Sequence, residues 1–594
     1  MIEVLISWIF IGFTAYVTGF CLLHILCRIL GVDFGICNKE MPHLHVMRSL
    51  FGLCGINVFA QTVSLFGRVG MVADVLLIAV CLLLLFLMRK DLFSKFSIKI
   101  WIYEHPITMT VYALLILLFA YGTSRGYMHF DTNLYHAQAI RWIEEYGTVP
   151  GLANIQSRFG YNSAEFALNA LYGFKWMVGR SLHTTAGYFA LISSFVAVGI
   201  KDALTTEDGK ICIKPRISDY VRLGLIYYLG IIYSDMVSPA SDNYAGVLVF
   251  DIVIFWLDIY KADTVNMNAR DTSGDFNRNS DTDVTMMLRA FICILIVYAI
   301  TIKLSLAPLL LLALIPGIYW IRHRDHRSVI VSILTGLIIS LPYFIRGHII
   351  SGWILYPSTL ISIGSPDWQL PKGMAQYDAR EIGMWGRGIT DATLWDSTGF
   401  VNWIPKWWSS LAAMEKIWMF TTVIALIYVL TVTIALWIAL RKTESESGSY
   451  ADIPLMCIVA AGTVFWFISA PLIRYGYPYL IIMPLLSVGY FATTVNIRRI
   501  IKNLIFAVLA FGICMVKFKY LTQDILRTAD WQYYVNQQDY IDGEAYTYEV
   551  DGITVYVAKD AGQIGYYKMP STVEERHDFS LRGDDLSDGF KHIQ

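Results

Sequence analysis

The sequence predicts an all-α protein that crosses a membrane many times. Hydrophobic types make up 56% of its 594 residues and charged types only 16%, whereas soluble domains carry about 25% charged residues. The apolar residues also form blocks of about 17 to 25 residues, which is the length that a helix needs to cross the hydrocarbon. The net charge of −1 gives no reason to expect a nucleic acid as partner, and membrane lipids are the expected surroundings.

About 14 blocks meet this length requirement. They cover 4–27, 49–66, 71–88, 106–123, 184–200, 223–239, 244–260, 287–302, 304–321, 329–345, 418–440, 454–470, 477–494 and 501–517. The first block is too long for the apolar part of a signal peptide, and no basic residue precedes it, so we expect a retained helix. The number of spans is hardest to count within 223–260 and 287–321, because the turns between the two blocks of each pair are tight.

Basic residues set the predicted orientation, because lysine and arginine favour the cytoplasmic side of short loops. If the N-terminus lies outside, the basic turns at 322–327, 441–442 and 498–502 lie inside. Three long segments then lie outside, namely 124–183, 346–417 and 518–594. None of the nine cysteines falls in them, as an oxidising exterior favours.

The chain is therefore predicted to have a membrane domain, 1–517, and a small α/β domain, 518–594, on the extracytoplasmic side. Residues 544–558 alternate in character around Asp551-Gly552, which predicts a β-hairpin with a primed turn. Inside, segment 261–286 is rich in Asp, Asn, Ser and Thr, which is typical of a solvated loop.

The segment "HFDTNLYHAQAIRWIEEYG", 129–147, follows directly on a predicted span. Leu134, Ala137, Ile140 and Ile143 recur at three-residue steps, which predicts a helix with one apolar face. Asp131 stands at its start. It is either a helix N-cap or a general base whose pKa is raised by nearby hydrocarbon and which takes a proton from a hydroxyl.

Several polar residues could accompany such a base. His136 and Arg141 follow Asp131 at helical spacings and are candidate ligands for a hydroxyl or a phosphate, or alternatively headgroup anchors. Lys303 lies between two apolar runs, where a lysine is either functional or extends its ammonium group to the membrane surface. Arg346 and Arg474 lie at the predicted outer ends of helices. The orientation rule disfavours basic residues on that side, so their presence there indicates a function.

Two further features leave alternatives open. Asp235 and Asp242 flank an outer turn, where they either assist the base or, more simply, solvate the turn. Segment 346–417 is dense in aromatic residues, which suit both sugar faces and a headgroup belt. Trp403, Trp407 and Trp408 lie in an amphipathic stretch that favours the belt.

The motifs resemble those of the GT-C class of membrane glycosyltransferases. Asp131 opens the first large extracytoplasmic loop and Tyr135-His136 follow it, while Thr132 stands where that class often has a second acid. Over most of its length the chain also resembles a group of multi-pass membrane proteins from bacterial polysaccharide loci. The shared motifs are "D…YH", "KLS" at 303–305, "SGWILYPS" at 351–358 and "LRGDDLSDGF" at 581–590.

The resemblance implies a glycosyltransferase in the bacterial cytoplasmic membrane with its active face extracytoplasmic. A sugar would pass from a polyprenyl-phosphate-type lipid donor to a glycan or lipid acceptor at the cell surface, and neither a cofactor nor a metal is expected. Asp131 is the predicted base. The predicted ligands of phosphate and hydroxyls are Tyr135, His136, Arg141, Lys303, Arg346 and Arg474.

Two alternatives remain open from the sequence. A polysaccharide polymerase or ligase would share this geometry but take a lipid-linked oligosaccharide as donor. A transporter of lipids or polysaccharide belongs to a different class, and it would favour charges at the membrane midplane and internal repeats. The clearest charges here lie near the outer ends of the spans, which favours an active site at the membrane surface.

Overall fold

In the computed structural model the protein is a bundle of long helices with a small sheet region near the C-terminus. The structure describes residues 1–93, 105–207, 210–270, 278–442, 452–495 and 498–593. Twelve helices of the described chain are long and apolar enough to cross a membrane, which confirms a helical multi-pass membrane protein.

The α-helices are numbered here in chain order. They are α1 (Ile2–Leu30), α2 (Phe34–Glu40), α3 (Leu44–Phe66), α4 (Met71–Phe93), α5 (Pro106–Ser124), α6 (Ala137–Glu145), α7 (Ala164–Leu171), α8 (Lys175–Val178), α9 (Thr185–Val198), α10 (Ile217–Ile232), α11 (Ser241–Arg270), α12 (Arg278–Ile302), α13 (Leu310–Arg322), α14 (His326–Ser351), α15 (Lys372–Gly386), α16 (Phe400–Ser410), α17 (Ala413–Lys442), α18 (Asp452–Ser469), α19 (Ile473–Thr494), α20 (Arg499–Thr528) and α21 (Gln532–Val535).

Twelve of the fourteen predicted spans coincide with these membrane-length helices. The other two, 223–239 and 244–260, fall on α10 and α11. Helix α10 has only 16 residues, and α11 contains Asp242, Asp251 and Asp258. Both helices lie at the centre of the bundle, where α11 is surrounded by protein and many of its apolar side chains are completely buried. Their passage through the membrane therefore stays a prediction.

Helices α1 and α3 approach each other unusually closely through glycine. A Cβ atom added at Gly52 would lie 1.8 Å from the carbonyl oxygen of Ala15, and one added at Gly19 would lie 1.8 Å from that of Arg48. Small residues at such crossings let helix backbones touch, which is a main source of helix association in membranes. The pair therefore depends on the absence of both side chains.

We expect Gly52→Ala to lower the free energy of unfolding by about 1–3 kcal/mol, because overpacking forces the backbones apart. Unfolding by heat or denaturant in detergent measures the change. The matched control is Gly317→Ala in α13, where an added Cβ meets nothing within 4 Å. Equal stability of the two variants would show that the close approach of α1 and α3 does not stabilise the bundle.

The three long segments predicted to lie on one side of the membrane meet at one end of the bundle, here called the loop face. Asn154 of the first segment donates a hydrogen bond to the carbonyl of Trp368 in the second, at 2.9 Å. Arg582 near the C-terminus forms an ion pair with Asp367 of the second segment, at 3.0 Å. These contacts agree with the predicted placement of all three segments on a common side.

Helix α20 runs to Thr528, so the domain boundary predicted at residue 518 falls inside it. The C-terminal segment, defined here as 529–593, contains a three-stranded sheet and a separate pair of strands. Its strands are β3 (Ala545–Val550), β4 (Ile553–Ala558), β5 (Ser571–Thr572), β6 (Phe579–Leu581) and β7 (Phe590–His592), while β1 (Leu204–Glu207) and β2 (Lys210–Ile213) form a hairpin elsewhere in the chain.

The predicted hairpin is confirmed as β3 and β4, which pair antiparallel from Ala545–Ala558 to Val550–Ile553. Asp551 and Gly552 have φ values of 51° and 78°, as a primed turn requires at both central positions.

Two other predictions need correction. Segment 261–286 is helical at both ends, since α11 runs to Arg270 and α12 begins at Arg278; residues 271–277 lie outside the described chain. Trp403 and Trp407 are buried in a cluster with Trp466 and Leu480. They therefore join α16 to the bundle instead of lying in a headgroup belt, whereas Trp408 is 40% exposed.

Candidate active site

A cavity of about 480 Å³ opens at the loop face. Two sets of side chains are distinguished in its lining. The charged wall consists of Asp131, Asp242, Lys303 and Arg474, and the aromatic wall includes Tyr135, Tyr161, Tyr356 and Trp385, with Arg158 among them. Four separate parts of the chain thus supply the charges.

Asp131 stands at an irregular turn of helix. Thr132–His136 forms a single π-helical turn that leads into α6, and such turns are frequent at functional sites. The Asp131 side chain caps no backbone N–H group, so the N-cap interpretation is wrong. Its carboxylate points into the cavity instead and accepts a hydrogen bond from Arg474 Nη2 at 2.5 Å.

Arg474 connects the parts of the charged wall. Its Nη1 donates to Nε2 of His129 at 2.6 Å, and its Nε lies 3.6 Å from the Asp242 carboxylate. Because α19 begins at Ile473, directly after the turn 470–472, the guanidinium projects over the end of the bundle. It is still 29% exposed, so it remains open to a ligand.

Lys303 completes the wall from a break between two helices. Helix α12 ends at Ile302, and Lys303 has the extended φ of −146° before a 3₁₀ turn, 304–309, begins. The ammonium group forms an ion pair with Asp242 and lies 3.8 Å from the ring centroid of Tyr475. Two cations and two carboxylates therefore alternate around one end of the cavity.

The predicted raised pKa of Asp131 is wrong. Burial raises the pKa of this carboxyl, but the nearby positive charges, that of the Arg474 guanidinium foremost, together lower it by more, so the net pKa lies below the ordinary value. Asp131 is therefore ionised at neutral pH. The sequence places Asp131 near hydrocarbon but gives no sign that an arginine 343 positions away contacts it.

The two histidines beside Asp131 are neutral at physiological pH. Burial lowers the pKa of His129 to about 4 and that of His136 to about 3. His136 packs against Tyr135 and Phe166 at ring distances of 4.3 and 5.3 Å, and within the described chain neither of its nitrogens has a hydrogen-bond partner. It lies behind the cavity wall, whereas Tyr135 lies on the wall.

Arg141 and Arg346 do not line the cavity. The Arg141 guanidinium pairs with Glu145 at 2.8 Å and donates to the carbonyl of Tyr566 at 3.0 Å, so it holds the C-terminal segment against α6. Arg346 is almost fully buried, and its Nε donates to Thr148 Oγ1 at 3.4 Å. It lies one turn beyond Tyr343, which does line the cavity, and so supports the wall from behind.

A buried carboxylate, that of Asp378, anchors the aromatic wall through hydrogen bonds. Asp378 of α15 is only 2% exposed; it accepts a hydrogen bond from Ser157 Oγ at 3.0 Å and another from the Tyr161 hydroxyl. Arg158 forms an ion pair with Glu381 at 3.1 Å and lies 5.3 Å from the ring of Trp385. Flat rings with polar edges beside an arginine suit the face of a sugar.

Sequence reasoning missed part of this site. The sequence leaves Asp242 either assisting the base or solvating a turn, whereas in the structure it pairs with both Lys303 and Arg474. A usable signal existed, because Asp242 lies just before a predicted span, on the same predicted side of the membrane as Lys303 and Arg474. Arg158 and Asp378 lie in irregular or amphipathic stretches, where the sequence holds no comparable signal.

The fold and site define the class of protein: a helical multi-pass membrane protein with an ionic and aromatic cavity at one end. Among the described residues, no group of three or more His, Cys, Asp or Glu is arranged to hold a metal ion. Residues 1–481 match the family described as a domain of unknown function, DUF8201. The chain belongs to this family, and the match includes the whole charged wall. Neither a curated protein nor a solved structure matches the chain.

Proposed function

We propose that this protein is a membrane glycosyltransferase of the GT-C type. It moves a sugar from a polyprenyl-phosphate-type lipid to a cell-surface glycan acceptor, on the extracytoplasmic face of the bacterial cytoplasmic membrane. The observation that carries this proposal is the meeting of Asp131, Arg474 and Lys303 in one cavity at a helix-end face. A transfer from a lipid phosphate needs one base and several cations at that depth.

The charged wall suits an anionic leaving group. Without substrate, Arg474 pairs with Asp131 and Lys303 pairs with Asp242. A donor phosphate competes for both cations, because arginine binds phosphate as a fork and lysine as a point charge. Fixed donors of this kind stabilise charge that develops on the leaving group.

Donor binding also changes the base. Once a phosphate occupies Arg474, the strongest influence that lowers the pKa of Asp131 is offset, and burial again dominates. The pKa of the carboxyl therefore rises, which makes Asp131 a stronger base only when the donor is in place. The acceptor hydroxyl then attacks the anomeric carbon as Asp131 takes its proton. A new carbon–oxygen bond forms, and the bond to the lipid phosphate breaks with its electron pair remaining on that phosphate.

The proposal is tested by deleting the gene in its host and restoring either the wild type or Asp131→Asn. We expect Asp131→Asn to insert normally but to leave the surface glycan lacking one sugar while its lipid donor accumulates. Mass spectrometry of surface glycan and lipid-linked sugars measures both effects. The matched control, Asp560→Asn, changes an exposed aspartate of the C-terminal segment and should restore the wild-type profile.

The same experiment separates the alternatives. Accumulation of a complete lipid-linked oligosaccharide, with short surface chains, would favour a polymerase or ligase over a transferase of single sugars. A wild-type profile from Asp131→Asn would contradict the assignment of Asp131 as the base, and the transporter interpretation would gain.

A further inference from the structure

A second cavity lies at the far end of α6, where α3 ends and α4 begins. Its volume is about 960 Å³. Its charged and polar lining includes Arg68, Glu145, Tyr146, Lys175 and Trp176. About 14 residues separate Asp131 from Glu145, so with a rise of 1.5 Å per residue the two sites are about 20 Å apart. The charged wall of the candidate active site contributes nothing to this cavity.

Its position relative to the membrane follows from the helices that bound it. Helix α3 ends at Phe66 and α4 begins at Met71, and both are membrane-length helices. The turn 67–70 between them therefore lies at the boundary between hydrocarbon and headgroups. Exposed apolar side chains form the rim: Phe66 (86% exposed), Val72 (63%), Met71 (54%) and Trp176 (48%). A Trp at this depth is typical of the interfacial belt.

Arg68 is the unusual feature of this cavity. It is exposed in a short turn on the loop face, where the orientation rule disfavours a basic residue. Within the described chain, the Arg68 guanidinium has neither a hydrogen-bond acceptor nor a carboxylate partner. A guanidinium over an apolar rim, with no protein partner, lacks a counter-ion.

The lining carries two basic residues, Arg68 and Lys175, and two acidic residues, Glu144 and Glu145, and within the described chain Arg68 is the member of this set whose side chain has no protein partner. Glu145 accepts from both Arg141 Nε at 2.8 Å and Lys175 Nζ at 2.6 Å, so its charge is more than balanced. Glu144 turns inward to Ser181 and Tyr566. The Trp176 indole is fixed by a 2.7 Å hydrogen bond to Asp74, so the rim is ordered before a ligand arrives.

We propose that this cavity binds the phosphate headgroup of a lipid whose headgroup carries a net negative charge, with Arg68 as its principal ligand, Lys175 as a second cation and the apolar rim contacting the tails. Phosphate is the anion that a free arginine fork fits best, and a site at the hydrocarbon boundary accepts an amphiphile. The headgroup can come from an ordinary anionic phospholipid or from a prenyl phosphate. The inference does not depend on the proposed transferase reaction.

Native mass spectrometry of the full chain tests this inference. The purified protein is titrated in detergent with phosphatidylglycerol and, separately, with a short-chain prenyl phosphate, with phosphatidylcholine as the zwitterionic comparison. We expect Arg68→Ala and Arg68→Glu to weaken binding of the phosphate-headed lipid about tenfold or more, since a charge-assisted hydrogen bond contributes about 1.5–3 kcal/mol. The matched control is Arg322→Ala, an exposed arginine at the opposite end of the bundle.

The two probes distinguish the source of the headgroup, since the lipid that binds more tightly and responds to Arg68 identifies it. Monodisperse size-exclusion profiles confirm that the variants are folded. Equal binding by wild type and both Arg68 variants would overturn the proposal, as would equal loss in Arg322→Ala. Phosphatidylcholine that binds as tightly as phosphatidylglycerol and the prenyl phosphate would also overturn it, because a headgroup without net charge would then suffice.

Discussion

Replacing Arg474 by Gln is expected to lower kcat/KM for sugar transfer about a thousandfold, since loss of one preorganised donor to a developing anion costs about 10²–10³. Arg474 donates hydrogen bonds to Asp131 and His129 and lies near Asp242, so it connects the residues of the charged wall. Arg474→Lys keeps the charge but not the fork, and its activity should lie between wild type and Arg474→Gln. The assay uses membranes and the lipid donor that accumulates in the deletion strain.

A second readout separates this role from a structural one. Arg474 lowers the pKa of Asp131 while burial raises it, so removing the guanidinium must raise that pKa. The carboxylate is the active form, and activity is lost as pH falls through its pKa. The acid limb of the kcat/KM profile, which reports the free enzyme, should therefore move to higher pH in Arg474→Gln.

The matched control for this series is Arg380→Gln. Arg380 is an arginine of the loop face that pairs with Asp396 and is 41% exposed. It does not line the cavity, and the variant should keep the wild-type rate and pH profile. An Arg474→Gln protein with the same rate and profile as this control would rule out Arg474 as the phosphate ligand.

The largest effect on stability is expected at the opposite end of the bundle. Arg222 of α10 is completely buried; it donates to Asp219 and Ser218, each at 2.9 Å, and to the carbonyl of Val196 at 3.2 Å. It also forms an ion pair with Asp258 of α11. This network ties α9, α10 and α11 together at a depth that water does not reach.

Arg222→Met should lower the free energy of unfolding by about 3–5 kcal/mol, because it removes a buried guanidinium from Asp219 and Asp258. Within the described chain, those carboxylates then keep only Arg216 and His43 as charged partners. Denaturation in detergent measures the loss. The matched control is Arg322→Met, which changes an exposed arginine in the last turn of α13 and should stay within about 0.5 kcal/mol of wild type. Equal stability of the two variants would mean that the buried network contributes nothing net to the bundle.

Much of the architecture follows from the sequence, because the features involved are local. A helix needs about 20 apolar residues to cross hydrocarbon, so block length alone locates most of the membrane helices. Asp551-Gly552 specifies its own hairpin turn, since both residues tolerate positive φ. Asp131, Lys303 and Arg474 stand out for the same kind of reason: each is a charged residue close beside a predicted span, on the side where the three long segments lie.

The remainder depends on contacts between distant parts of the chain. From the sequence, Asp242 could also be a residue that solvates a turn. Its role follows only from the structure, in which Lys303 and Arg474 lie beside it. Arg141 reads as a phosphate ligand until Tyr566 of the C-terminal segment takes its guanidinium. Helix α11 shows the same limit, because only its central position explains how Asp251 and Asp258 occur within its apolar part.

The sequence by itself determined that the protein is helical and crosses a membrane many times. It also identified three of the charged residues that meet at the loop face, Asp131, Lys303 and Arg474. Only the tertiary structure decided which charges pair, and with them the direction of the Asp131 pKa shift. The physical reason is that hydrophobic length and turn preference are properties of neighbouring residues. The energy of a buried charge is instead set by whichever opposite charge the fold brings within a few ångströms.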